Sequence, residues 1–336
     1  MKKNRPLLWL IPLVVLLLLV PFIVPSALPY AGAESTDLPV YTPVELENPN
    51  PEPLLPLPSP KEAFPTPYDA KAENFVTDEA TGAPVEYRDS TLYVKIESRI
   101  VNNTRVYFTW VQIADPSQLR TLVTGETSPV KKAINVKAVV AINGDWYSGR
   151  REGVIYRNGV LIRPEKPFGN YDTLIIDDEG NFHILCKPED QEFAPYVGNI
   201  MHSFMFGPAL VVDGQKVEIT DNKYGSGPGM GLLNNTQRQC ICQMDTLSYL
   251  IITTEGPENK SDKEHGFSAP QLAQLAYDVG AKQAYNLDGG NSACLVVNGV
   301  KMNRFGKGGI REITDMIYFI TAEVPAPGAA EGSVSK

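Results

Sequence analysis

Residues 265–293 read HGFSAPQLAQLAYDVGAKQAYNLDGGNSA, a predicted helix, strand and acidic turn in immediate succession. Ser268 and Gln271, three residues apart, form a capping box. The hydroxyl accepts an orphan amide of the first turn while the glutamine side chain reaches back. Leu272, Leu275, Ala276 and Val279 then recur as one apolar stripe at helical spacing, and Gly280 supplies the left-handed stop. The strand that follows, Ala284 to Leu287, breaks at Asp288-Gly289-Gly290-Asn291-Ser292. Two glycines after a strand-end carboxylate exceed what one tight turn needs, so the turn is read as a place where backbone approaches a ligand.

Outward from this stretch, short β-rich runs recur: Thr91–Ile96, Arg105–Ile113, Ala138–Ile142, Thr173–Ile176, Ala209–Val212, Gln239–Met244, Tyr249–Thr253 and Met316–Ile320. Asn158-Gly159, Asp213-Gly214 and Asn298-Gly299 read as hairpin turns between such runs. A second helix is expected from Ser128, with Pro129 at its first position. The predicted fold class is α+β: a sheet-rich single domain with few helices, preceded by an N-terminal membrane helix and a Pro-rich linker.

Chemistry gathers where apolar strands end. Asn143-Gly144-Asp145 closes VKAVVAIN, Glu255-Gly256 closes YLIITT, Asp288 closes AYNL, and Arg238 sits in the alternating run NNTQRQCICQMD. Loops at such ends can close round a ligand. Each feature also has a structural reading: Asn-Gly is an ordinary hairpin turn, and a lone Arg on a strand fits an ion pair as well as a phosphate. Gly290-Asn291-Ser292-Ala293-Cys294 approaches the nucleophile elbow, with Cys in place of the last glycine. No histidine is placed by a local signature to serve that serine, so a Ser-His-Asp hydrolase is not expected.

In their order, AVVAINGDWY, FGPALVVDG, TQRQCICQ, TTEG, the opening stretch and REITDMIYF resemble the phosphodiester glycosidase family, over roughly residues 90–322. The chain departs from the family at Gln239 after the arginine, at Cys242 and at Asn291. The resemblance implies hydrolysis of a sugar 1-phosphodiester to a free sugar and a phosphomonoester. On this reading Arg238 holds the phosphodiester, aided by backbone amides around Gly289 and Gly290. Asp288 and Glu255 form the carboxylate pair at the anomeric carbon. Asn143 and Asp145 bind sugar hydroxyls or orient water, Asn291 and Ser292 belong to the substrate-binding turn, and Arg311 and Asp315 complete the pocket. Trp146, Tyr147 and Tyr171 offer rings for sugar stacking. Metal use stays open, since Glu255, Asp288, Asp145 and Asp315 together would offer oxygen ligands to a divalent cation such as Ca or Mg. The alternative class is a non-catalytic, membrane-tethered module that binds glycans or glycopolymers through the same pocket. A purely structural envelope protein is a third.

The ends of the chain set the compartment. Lys2, Lys3 and Arg5 precede Leu7–Val24, an uncharged apolar run long enough to cross a bilayer. The positive-inside rule then places the body outside the cytoplasm. The run reads as a signal anchor (1–28) in the cell membrane. A cleaved signal ending at Ala31-Gly32-Ala33, giving a secreted protein, is the competing reading. Residues 29–68 are a Pro-rich linker, read as an extended spacer rather than a docking motif. The body then spans 69–324, with a small-residue tail at 325–336. Cys186, Cys240, Cys242 and Cys294 fit buried thiols or one disulfide. The three histidines lack ligand spacing, which argues against a His-rich zinc centre. With 30 Lys+Arg against 39 Asp+Glu, the net charge of -9 disfavours nucleic-acid binding. The carbohydrate phosphodiester and the membrane are the expected partners.

Overall fold

Paired left-handed residues at hairpin turns organise most of the chain. Asn158-Gly159 (φ +50°, +76°), Asp213-Gly214 (+49°, +73°) and Asn298-Gly299 (+48°, +73°) take the conformation whose twist matches the flanking strands. Asn102-Asn103 (+48°, +58°) does the same between Leu92–Val101 and Thr104–Ile113, where the sequence offered no glycine to mark it. The computed structural model describes residues 43–46, 49, 54, 67–149, 152–164, 171–188, 190–221, 231–257, 265–304 and 311–324. The expected membrane helix over Leu7–Val24, most of the linker and the tail from 325 lie outside the described residues. Among the described residues no helix is long and apolar enough to cross a membrane.

Strand pairing among the described residues is antiparallel throughout. A nine-stranded sheet runs Phe75–Thr77, Pro84–Arg88, Leu92–Val101, Thr104–Ile113, Ser248–Thr254, Gln239–Asp245, Gln283–Asn286, Ala209–Val212, Gln215–Lys216. A five-stranded sheet runs Val300–Lys301, Leu295–Val297, Val140–Asn143, Ile313–Phe319, Leu119–Thr127. The main core lies between them, where Val94, Val111, Ile241 and Ile251 of the larger sheet join Val140, Ile142, Leu295, Ile317 and Phe319 of the smaller. Each sheet buries its other face under a helix. Leu272, Ala273, Leu275 and Ala276 of the Ala269–Asp278 helix cover Phe108, Trp110, Cys240, Cys242 and Ile252. Ala133 and Val130 of the Pro129–Asn135 helix pack near Ala141, Val296, Met316 and Tyr318. The result is helix, sheet, sheet, helix, which explains why Gln239–Asp245 and Val140–Asn143 are buried along almost their whole length. A three-stranded sheet (Phe182–Leu185, Thr173–Asp177, Ile200–Phe204) and the Val154–Arg157/Val160–Pro164 hairpin complete the body.

Cys240 and Cys242 point to the same face, as residues two apart on a strand must, with sulfurs 4.0 Å apart. All four cysteines are free thiols and Cys186 is the exposed one, so no disulfide forms. Part of the Pro-rich segment lies against the body. Val44 is buried beside Val101 and Val106, and Arg99 donates to the Glu45 carbonyl (2.7 Å). The Ser268–Gln271 capping box forms, and Gly280 ends the helix at φ +80°. Ser268→Ala is expected to cost about 1 kcal/mol, read as a lower urea midpoint with unchanged slope.

Candidate active site

The two sheets meet at one end. Strand Val140–Asn143 pairs with Ile313–Phe319, setting Met316 opposite Asn143. Just beyond, the Gly144 amide donates to the Asp315 carbonyl (3.1 Å). The Asp288 amide donates to the Gly144 carbonyl (3.2 Å), tying the end of the larger sheet to the end of the smaller. Asn143, 1 % exposed, completes the tie. Its Nδ2 donates to the carbonyls of Asp288 (2.7 Å) and Gly144 (3.1 Å), and its Oδ1 accepts from the Cys294 amide (3.1 Å). At this junction lies a cavity of about 150 Å³, lined by Glu126, Asn143, Gly144, Trp146, Asp288, Ser292, Arg311, Glu312, Ile313, Thr314 and Asp315. Asp288, Ser292, Arg311 and Asp315, expected at the site from sequence, converge on it.

Behind the cavity a single buried cation holds two carboxyl groups. Arg157 Nη2 lies 2.7 Å from Asp145 Oδ1 and 3.6 Å from Asp315 Oδ2, with all three side chains nearly inaccessible. Asp145 Oδ2 accepts from the Met205 amide (2.9 Å), and Asp315 Oδ2 accepts from the Asp145 amide (2.9 Å). Arg157 also donates to the Ser203 and Tyr156 carbonyls, and its guanidinium packs 4.4 Å over the Phe204 ring. Burial and then the Asp145 charge push the Asp315 carboxyl up to about 8, beyond what Arg157 offsets. The shift favours the protonated form of Asp315, which lines the cavity. Gly144 makes the arrangement fit, since a Cβ there would fall 1.8 Å from Asp315 Oδ2. Neighbouring His202 is pushed down to about 3, by burial first and Arg157 second, and stays neutral.

The remaining expected residues have other partners. Arg238 is not a free anion clamp. Its Nε donates to the Phe267 carbonyl (2.9 Å) and its Nη2 to those of Gly231 (2.9 Å), Asn234 (3.0 Å) and Leu232 (3.3 Å), so it organises backbone. Glu255 lines a different place. Its carboxylate accepts from Arg304 Nε (2.7 Å) and the Arg304 amide (3.1 Å), and it is not among the residues lining this cavity. Gly290 gives its amide to the Gln237 carbonyl (2.9 Å) rather than to an anion, and Gly289 is required because a Cβ would approach that carbonyl to 2.7 Å. Asn143 uses its amide on backbone, and Asp145 is engaged by Arg157. Asn291 is exposed on the Gly290–Ser292 turn, whereas Ser292 is buried and its Oγ accepts from Arg311 Nη1 (3.2 Å). Asp145, Glu255, Asp288 and Asp315 do not form one oxygen cage, and among the described residues no three His, Cys, Asp or Glu side chains form a metal-holding group.

Arg157 escaped the sequence reading because it sits in an ordinary strand, VIYR, before a hairpin turn. The only signal was a charged residue at an inward strand position, and inward positions show only once the register is known. Arg157→Gln would leave Asp145 and Asp315 buried without their cation. A loss of about 3–5 kcal/mol in unfolding free energy is expected, measured by denaturant titration at pH 7.

Comparison with known proteins places this geometry. The sequence pattern of the family described as "Phosphodiester glycosidase" matches residues 136–320, more than half of the chain. A SPbeta prophage-derived uncharacterized protein of Bacillus subtilis (strain 168) is 26% identical over 207 residues, covering 60% of this chain but only 31% of its own length. The zebrafish N-acetylglucosamine-1-phosphodiester alpha-N-acetylglucosaminidase catalytic domain, auto-inhibited by its pro-peptide, shares the fold with TM-score 0.52 and 19% identity over 73% of this chain and 86% of that one. A hypothetical protein from Synechocystis does so with TM-score 0.52 and 14% identity, over 69% of this chain and 62% of that one. With the matched region running from just before the Asn143 strand to the end of the Asp315 strand, the chain belongs to the phosphodiester glycosidase family.

Proposed function

We propose that this protein hydrolyses a sugar 1-phosphodiester of envelope or extracellular glycans, releasing a free sugar and a phosphomonoester. The body works outside the cytoplasm, tethered by the Leu7–Val24 segment. The observation that carries this reading is one cavity lined by Asp288, Asp315 and Arg311. A diester is an anion, and Glu126 and Glu312 also line the cavity, so every ionised carboxylate there would repel it. With Asp315 protonated the cavity wall carries one negative charge fewer, while Asp288 faces the sugar.

The phosphomonoester leaving group has a second pKa of about 6, so it departs with far less protonation than a sugar alkoxide needs. Asp288 either attacks the anomeric carbon, forming a glycosyl ester that water then hydrolyses to the free sugar, or removes a proton from a water that attacks that carbon directly. The bond from that carbon to the bridging oxygen breaks, and its electron pair stays on the phosphate. Arg311 steadies the charge that gathers there. Ser292, which holds Arg311 at 3.2 Å, sets the cation's reach.

Release of sugar from α-linked hexosamine and hexose 1-phosphodiesters by the full-length protein tests the reading. Asp288→Asn is expected to lower turnover by about 10²–10⁴ with the fold intact. Unchanged turnover would overturn its role, and a folded protein inactive on every diester would favour glycan binding without catalysis.

The pH dependence follows from Asp315. As pH rises through about 8 the carboxyl ionises and repels the diester, so kcat/KM falls on the alkaline side. Asp315→Asn keeps a neutral donor and is expected to remove that limb while retaining measurable turnover. A limb that persists in the variant would assign it to another group.

A further inference from the structure

We propose that Trp146 is the stacking platform for the pyranose ring of the substrate, and so a determinant of which sugars are accepted. The inference deepens the hydrolase reading, on which it rests, by assigning the residue that takes the sugar. Three aromatic side chains near the Asn143–Asp145 turn could be considered. Tyr171 is 6 % exposed, and the half-buried Tyr147 ring lies 5.9 Å from the Arg157 guanidinium. Trp146 is 44 % exposed and lines the cavity with Asp288 and Arg311.

The backbone turns Trp146 outward at a cost. Its φ of +54° is the left-handed region, which a bulky residue rarely adopts without compensation from its surroundings. The compensation is visible on both sides. Asp145 is fastened inward by Arg157 and the Met205 amide, and Tyr147–Gly149 forms a tight turn closed by the Gly149 amide on the Trp146 carbonyl (3.0 Å). The indole lies against Gly149 so closely that a Cβ there would fall 2.1 Å from the ring. One ring face is thereby backed by main chain, and the exposure belongs to the rest of the ring.

Size supports the assignment. A space of about 150 Å³ is small against the roughly 300–1,000 Å³ of pockets that enclose a whole drug-sized ligand. A sugar phosphodiester must therefore extend past the cavity, and the rim offers two unlike surfaces: an arginine for the phosphate and an indole for the C–H face of a pyranose. Aromatic rings pack such faces by dispersion while leaving the hydroxyls to water and polar neighbours.

The test reads binding and turnover separately in the full-length protein. Titration with free hexosamine and hexose, followed by intrinsic fluorescence and by calorimetry, is expected to show saturable binding that Trp146→Ala weakens about tenfold and Trp146→Phe largely retains. Gly149→Ala, which leaves the indole present but displaces it, is expected to weaken sugar binding as Trp146→Ala does. Inorganic phosphate titrated alone should bind all four proteins alike. Sugar affinity unchanged in both Trp146→Ala and Gly149→Ala, or no sugar binding by the wild type, would overturn the platform. Sugar binding that depends on Trp146 without turnover of any diester would leave the platform standing and overturn the hydrolase reading.

Discussion

Asn143 fastens the two sheets together where their ends meet. Its amide group satisfies the Asp288 and Gly144 carbonyls and the Cys294 amide at once, inside a region where none of these groups could turn to water. Removing that side chain would leave buried donors and acceptors unpaired, each at about 1–3 kcal/mol. The consequence reaches beyond stability. Asp288 belongs to the loop so held, and Asp315 is locked to the same strand end through Gly144. Asp288 and Asp315, two of the four carboxyl groups lining the cavity, therefore come from the ends of different sheets but share one rigid reference point, which is the preorganisation a charge-stabilising site requires.

Charge arrangement follows from the same geometry. One guanidinium is closer to Asp145 than to Asp315, and Asp145 also receives a backbone donor at its second oxygen. Asp145 is thus the better-satisfied carboxylate, and its negative charge works against ionising its neighbour. Burial and then Asp145 raise the Asp315 pKa, and Arg157, farther from Asp315 than from Asp145, offsets them only in part.

Much of the fold was legible in the chain. The Ser268 cap, the Gly280 stop and the three hairpin turns with glycine announce themselves through local chemistry, and each occurs at the residues expected. Asn102-Asn103 did not, because asparagine at a left-handed turn is an option rather than a requirement. The strand end carrying Asp288 was also legible, since an apolar run halted by charge and glycine must present polar groups at a sheet margin, whereas Arg311 and Asp315 were reached through the family resemblance alone. Partner choice was not. Glu255 faces Arg304, and Asp145 faces Arg157, through sheet register and loop packing that no local pattern encodes.

Arg238 shows why a residue type alone cannot assign a role. On the family resemblance it is the cation expected to hold the phosphodiester, and its neighbour Gln237 does touch the Asp288 turn through Gly289 and Gly290. Yet its donors go to four backbone carbonyls, and burial pushes its guanidinium down to about 10. A cation so enclosed shapes the loops around the site, whereas Arg311, exposed and held only lightly by Ser292, keeps a charge where an anion can reach it. The division follows from solvation. A buried arginine must satisfy its donors internally to be tolerated at all, and satisfied donors have little left to offer a ligand. The buried cation thus fixes the loops around it through Nε and Nη2.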